Sequence, residues 1–172
     1  MKIELVTSKN FDLYYSLQEK DFCLEERRSK NEELKALEDK RFKPYLIYYE
    51  NQVVGFCSCW EFDNFIFGEH FAIIEEFRTK FLGFQFIKEV LSKMNKLFVF
   101  EIELPTDKMS KQRKMFYERL KVSVNNFEYY QPSYHNDGKN VPMLFLSYPR
   151  KLSHEEFNRI VNTIYREVYK LK

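Results

Sequence analysis

Glycine is scarce, at 4 of 172 residues, and no stretch is repetitive, low in complexity or composed like a linker. An unstructured tail and a repeat array are excluded, and the length suits one globular domain over residues 1–172. Cysteine is also scarce: Cys23, Cys57 and Cys59 are an odd number in a chain large enough not to need disulfide staples, which points to a reducing compartment, the cytoplasm. Neither sign of charge is in excess, because 28 basic residues stand against 26 acidic ones for a net charge of +2. A nucleic-acid surface calls for a clear excess or a basic stripe, so nucleic acid is not an expected partner. No apolar run approaches the length of a membrane span, and MKIELVTSKN alternates where a signal peptide would be basic and then apolar, so no membrane is expected either. Cys57 and Cys59 form a CxC without a second ligand pair, and His70, His135 and His154 lack metal-ligand spacing. No GxSxG occurs, so metal and triad chemistry are set aside.

What the chain has in quantity is rings, with 18 Phe, 12 Tyr and 1 Trp. They must fill a core or line a cleft, and a chain of this length buries roughly 70% of the surface it exposes when unfolded. Hydrophobic periodicity then orders the elements. Lys2 to Val6 alternates as a short strand, and Phe11 to Asp21 and Glu25 to Lys40 read as helices. Tyr45 to Tyr49 and Val53 to Phe62 suggest a hairpin around Glu50-Asn51-Gln52, followed by a strand from Phe65 to Ile74. From Leu82 to Asn95 the period lengthens to that of a helix, through Leu82, Phe86, Ile87, Val90, Leu91 and Met94. Leu97 to Leu104 is a strand ended by Pro105. A helix marked by Met109, Phe116 and Leu120 follows, with Thr106 or Asp107 as its cap. Strands are expected at Phe127 to Tyr130 and Met143 to Tyr148, then a helix over 153–171 whose Ser153-His154-Glu155-Glu156 is a capping box. The pattern predicts an α/β (α+β) fold: a mixed, mostly antiparallel twisted sheet of about six to seven strands, with helices on both faces and the last helix packed on the domain.

One stretch carries most of the chemistry. EHFAIIEEFRTKFLGFQF, Glu69 to Phe86, takes a strand through Arg78-Thr79-Lys80-Phe81-Leu82-Gly83 into a helix. Backbone N–H groups at a helix N-terminus, its dipole and the bases Arg78 and Lys80 would converge there on an anion, against the plainer reading of a strand-to-helix turn with two surface bases. The stretch resembles the acyl-CoA loop of the GNAT superfamily of N-acetyltransferases: Gln or Arg, two residues, Gly, one residue, then Gly or Ala. Arg78 and Gly83 match its ends, and Phe81 stands where the first Gly is expected. Gly83 would let the backbone come close to a pyrophosphate. A residue with a Cβ resists positive φ, so a wider or differently turned loop is expected at Phe81. Downstream, Phe116-Tyr117-Glu118-Arg119-Leu120-Lys121-Val122 resembles the family's FYxxLGF, with Lys121 in place of its Gly.

The resemblance implies an N-acetyltransferase that moves an acetyl group from acetyl-CoA to a primary amine by direct attack. Tyr117 matches the general acid that protonates the departing thiolate, and a neutral phenol suits that task at pH 7. Phe71, Ala72 and Ile73 would pair through their backbone with pantetheine and polarise the thioester carbonyl. Arg78, Thr79, Lys80, Phe81, Leu82, Gly83 and Phe84 would hold the pyrophosphate. Ser110, where the family often has Asn, would reach pantetheine, and Arg113 a CoA phosphate. Glu69 is the preferred base, with His70 as substitute; in a regular strand the two would point to opposite faces. Glu101 and Glu103 share a strand face and would either recognise a cationic substrate or lie on an exposed polar surface. Tyr129, Tyr130, Gln131, Pro132 and Tyr134 would wall an acceptor pocket or cover the sheet. The acceptor is a small-molecule or peptide amine, and the aromatic surplus is compatible with a homodimer. The departures at Phe81, Ser110 and Lys121 leave a second reading, a catalytically silent acyl-CoA-binding or interaction module with the same fold.

Overall fold

Glu50 and Asn51 both adopt left-handed φ, 49° and 61°, the signature of a two-residue hairpin turn whose twist matches that of its strands. They join β2 (Phe42–Tyr49) to β3 (Gln52–Glu61), where the sequence predicts a hairpin. This computed structural model describes residues 1–135 and 137–171; the side chains of Thr79 and Lys80 lie outside the described part. Chain contacts divide it into two units, Met1–Asp63 with Gly68–Lys93, and Asn64–Phe67 with Met94–Lys172.

In the first unit β1 (Lys2–Leu5) pairs antiparallel with β2, from Lys2 opposite Tyr48 to Leu5 opposite Tyr45, and β2 pairs antiparallel with β3. β4 (Phe65–Ile73), whose first residues belong to the second unit, follows β3 in the sheet. α1 (Phe11–Asp21) covers one face through Phe11, Tyr14, Tyr15 and Leu17, which pack with Val6, Leu46 and Phe56. Gly55, beside Phe56 but on the other face, has Ile73 against it, and Ile73 meets Gly83 of α3 (Leu82–Lys93). α3 therefore covers the face opposite α1, burying Leu82, Phe86, Ile87 and Leu91, all four of which the 3.6-residue period singles out. A Cβ on Gly55 would lie 2.4 Å from the Ala72 carbonyl oxygen, so only glycine lets β3 approach the middle of the site strand this closely.

In the second unit β8 (Asn140–Tyr148) pairs antiparallel with β5 (Leu97–Glu103), β6 (Ser123–Asn125) and β7 (Tyr130–Pro132). Phe100 of β5 meets Tyr117 of α4 (Lys108–Arg119) with ring centroids 4.6 Å apart. On the other face Phe145 of β8 meets Phe157 of α5 (His154–Glu167) at 5.4 Å. Each unit thus carries helices on both faces of its strands, as the sequence predicts, and nearly all pairings are antiparallel.

Two expectations change. The second helix, predicted from Glu25, is a 3-10 turn Leu24–Glu26 and then α2 (Lys30–Ala36). Ser29 and Glu32 form a capping box that starts α2 late and leaves Arg27 and Arg28 extended. The strand predicted at Phe127 to Tyr130 is displaced to either side, into β6 and β7. Phe127 and Tyr129 pack on Phe157 and Phe145 as rings, at 4.6 and 4.9 Å, instead of joining a ladder. Among the described residues no helix is long and apolar enough to cross a membrane.

Candidate active site

The alternation of β4 breaks where the predicted base sits. A regular strand would send Glu69 and His70 to opposite faces, yet both side chains reach the same hydroxyl: Ser58 Oγ lies 3.4 Å from Glu69 Oε2 and 3.4 Å from His70 Nδ1. His70 and Ser58 belong on the α1 face, and Glu69 has crossed to join them. Beyond the break, Phe71 and Ile73 turn toward α3, and Ala72 packs with the α1 core.

Glu69 is the end of a buried charge relay. Arg28 donates to it at 2.6 Å through one terminal nitrogen and to Glu33 of α2 at 3.1 Å through the other. Both carboxylates are fully buried, and Arg28 lies over the rings of Phe42 and Trp60 at 5.7 and 5.4 Å. Burial by itself would raise the Glu69 pKa, but the Arg28 guanidinium, then His70 and hydrogen bonds from Arg28 and Trp60, outweigh it and hold the carboxyl below its ordinary range. Neighbouring side chains extend the network. Tyr14 donates its hydroxyl to Glu33 at 2.9 Å, and burial followed by the charges of Glu33 and Glu69 raises that phenol's pKa. Gln18 Nε2 donates to Glu33 at 3.4 Å and lies 3.2 Å from His70 Nδ1. His70 Nε2 donates to the Glu26 carbonyl at 2.9 Å. A carboxylate in this state, with no exposed atom, is a weak base, and its surroundings favour anchoring β4 to α2.

After β4 a 3-10 turn, Glu75–Lys80, leads to Phe81 and α3. Phe81 has φ 56° and ψ 16°, in the left-handed region that favours glycine, so its Cβ has not kept it from positive φ. Its carbonyl accepts the N–H of Gln85 at 3.2 Å, which places Leu82 and Gly83 in the first turn of α3, the end of a helix that attracts an anion. A Cβ on Gly83 would stand 3.4 Å from Ile73 Cγ1 and 3.8 Å from Phe71 Cζ, ordinary contact distances, so α3 rests on β4 here without requiring glycine for packing. Phe71 stacks on Phe86 at 5.6 Å. Arg78 turns back on its own loop: Nε donates to the Ile73 carbonyl at 2.7 Å and the guanidinium pairs with Asp21. The predicted contributions of the Thr79 and Lys80 side chains lie outside the described residues.

In the second unit Asp107 caps α4, accepting from the backbone N–H of Met109 and Ser110 at 2.7 and 2.9 Å, contacts that lower its pKa. Ser110 is buried and engaged in the same cap, its hydroxyl accepting from the Asp107 N–H at 3.1 Å and donating to the Asp107 carbonyl at 3.2 Å. Tyr117 lies on the buried side of α4 against Phe100 and Phe116, and burial, opposed by Arg113 and assisted by Glu103, pushes its phenol up to about 12. Lys121 takes φ 59°, again the conformation of the glycine it replaces. That turn sends the Lys121 N–H to the Glu118 carbonyl at 2.9 Å and the Val122 N–H to the Tyr117 carbonyl at 3.1 Å, a Schellman closure that fixes Tyr117 from behind. Arg113 pairs with Glu103. Glu101 accepts the hydroxyls of Tyr129 at 2.6 Å and Tyr169 at 3.1 Å. Of the loop rings, Tyr129 and Tyr134 are buried and Tyr130 is exposed.

Arg28, Glu33, Gln18 and Tyr14 are absent from the sequence expectations. One signal was present: Ser29-Lys30-Asn31-Glu32 marks a helix start, which makes Arg27-Arg28 the extended approach to it.

The model of the acetyltransferase (GNAT) family matches residues 10–121, and the chain belongs to that family, with acetyl-CoA as co-substrate. The chain is similar over its whole length to a putative GNAT-family acetyltransferase from Bacteroides thetaiotaomicron, with 25% identity, all of both chains covered and a TM-score of 0.91. It shares its fold with an alanine N-acetyltransferase of a ribosomal protein from Escherichia coli (12% identity, 90% of this chain and 96% of that chain covered, TM-score 0.63). It also shares it with an aminoglycoside 6′-N-acetyltransferase solved with coenzyme A (13% identity, 87% and 99% covered, TM-score 0.60). No curated protein matches the chain. The residues fit the co-substrate: Leu82 and Gly83 stand in the first turn of α3, a helix end whose N–H groups and dipole would suit a phosphate.

Proposed function

We propose that the protein acetylates a primary amine, small molecule or peptide, by direct attack on acetyl-CoA, with Tyr117 as the general acid and residues 1–172 acting as one acyltransferase domain. The observation that carries this is the setting of Tyr117: buried, at the matched position of the family segment, with its backbone clamped by the turn at Lys121. The amine nitrogen forms a bond to the thioester carbon, the C–S bond breaks, and the phenolic proton passes to the departing sulfur. The proton shed by the amine goes to solvent, from which Tyr117 is reprotonated. A phenol raised to about 12 stays protonated throughout the ordinary pH range, so the acid is always loaded. Backbone groups of Phe71, Ala72 and Ile73 hold pantetheine and polarise the carbonyl, and the first N–H groups of α3 hold the diphosphate. Glu69 and Arg28 anchor β4, so that these peptide groups are fixed before substrate arrives. Three free thiols support a reducing, cytoplasmic setting.

The test is CoA release, followed with a thiol reagent across a panel of amines. Tyr117→Phe is expected to lower kcat about a hundredfold and to leave acetyl-CoA affinity unchanged. Unaltered kcat would remove Tyr117 from the mechanism. Acetyl-CoA binding without CoA release for any amine would support the silent binding module instead.

A further inference from the structure

Phe81 is exposed to 77%, the highest value among the large apolar side chains of the described residues, and it is also one of the few non-glycine residues with left-handed φ. These two properties work against each other in the free protein. A Cβ in the left-handed region is strained, and a ring left in water gains no packing that would offset the strain. The same backbone turn could be made by glycine at lower cost, so the side chain needs a partner that the chain itself does not provide.

The partner's chemistry follows from what the turn holds. Phe81 immediately precedes Leu82 and Gly83, which open α3, and the N-terminal end of a helix suits a phosphate. A ligand drawn to this turn therefore carries phosphate, and the part of it next to the phosphates meets an open aromatic face. Aromatic faces stack on nucleobases, and stacking tolerates the loose geometry of a surface site. We propose that the ring of Phe81 is a stacking platform for the adenine base of coenzyme A, so that this residue contributes its side chain to the base and its backbone turn to the phosphates. The assignment rests on the reading of this loop as the acyl-CoA site and adds to it a residue that holds the nucleotide end.

Calorimetric titration of the intact protein with CoA and with 4′-phosphopantetheine, which lacks the adenosine portion, tests it without relying on turnover. Phe81→Asn keeps a residue tolerant of left-handed φ and removes the ring; Phe81→Tyr keeps the ring. The expected result is a loss of roughly tenfold in CoA affinity for Phe81→Asn, no change for Phe81→Tyr within about twofold, and equal 4′-phosphopantetheine affinity in all three proteins. CoA affinity unchanged in Phe81→Asn would overturn the platform, as would an equal loss for both ligands, which would assign the effect to the turn backbone. Wild-type protein that binds CoA while Phe81→Asn binds it equally well defeats this assignment alone. Wild-type protein that binds no CoA defeats the coenzyme site and the platform together.

Discussion

The surroundings of β4 and of α4 hold their functional residues in place by opposite means. β4 is fixed by charges brought from far along the chain: Arg28 reaches Glu69 across 41 residues and Asp21 reaches Arg78 across 57. α4 is fixed by its own two ends, with Asp107 and Ser110 closing the first turn and the left-handed Lys121 closing the last. The first arrangement depends on ionisation, and its buried members fail expensively when one partner is missing. The second consists of bonds made within a few residues, and its ionisable member, the Asp107 cap, stands at the surface. β4 is thus held by the charges of its own side chains besides its sheet neighbours, whereas a helix such as α4 can be secured by its caps.

Breaking the charged arrangement gives the largest expected effect. Arg28→Met leaves Glu33 and Glu69 buried without their shared guanidinium, and urea unfolding at pH 7 should show a loss of about 3–5 kcal/mol. A loss below about 1 kcal/mol would mean that the relay is not what holds β4.

Acid sharpens the contrast. The folded Glu69 carboxyl lies below its ordinary value of 4.5, so its contribution is complete above that pH and is lost as pH falls through the folded value. Unfolding free energy should therefore decline below about pH 4.5 in the wild-type protein. In Arg28→Met the decline should flatten or reverse, because a buried carboxyl without its cation prefers the proton. The same steep decline in both proteins would place the acid-sensitive group elsewhere.

The smallest expected effect lies at the end of α4. Lys121→Gly removes the Cβ from a left-handed position and returns some of that relief as unfolded-chain entropy, for a net gain of about 0.5–1 kcal/mol in chemical unfolding. Its pH dependence should overlay that of the wild type. A loss of stability would show that the Lys121 side chain contributes more than the turn costs.

The same contrast governs what could be read from the chain. The hairpin at Glu50-Asn51, the span of α1 and the caps at Asp107 and Ser153 are legible because each is decided by residues within a few positions of one another. The glycine rule misled at Phe81, which takes left-handed φ with a side chain attached, since the surrounding turn decides φ and the residue only sets its cost. The relay of Arg28, Glu33 and Glu69 was not legible, because nothing local pairs a base before one helix with an acid on a later strand. Nor was the crossing of Glu69 to the His70 side, since an alternating pattern predicts faces only while the strand stays regular. Phe127 and Tyr129 misled for a third reason: rings suited to a strand were used to cover α5.

The account stands most directly on one measurement, thermal unfolding of the purified protein alone and with acetyl-CoA. At 100 times its dissociation constant the ligand should stabilise the fold by about 2.7 kcal/mol and raise the midpoint accordingly. An unchanged midpoint at millimolar acetyl-CoA would contradict a coenzyme site at the Phe81 turn, and with it the acetyl transfer assigned to Tyr117.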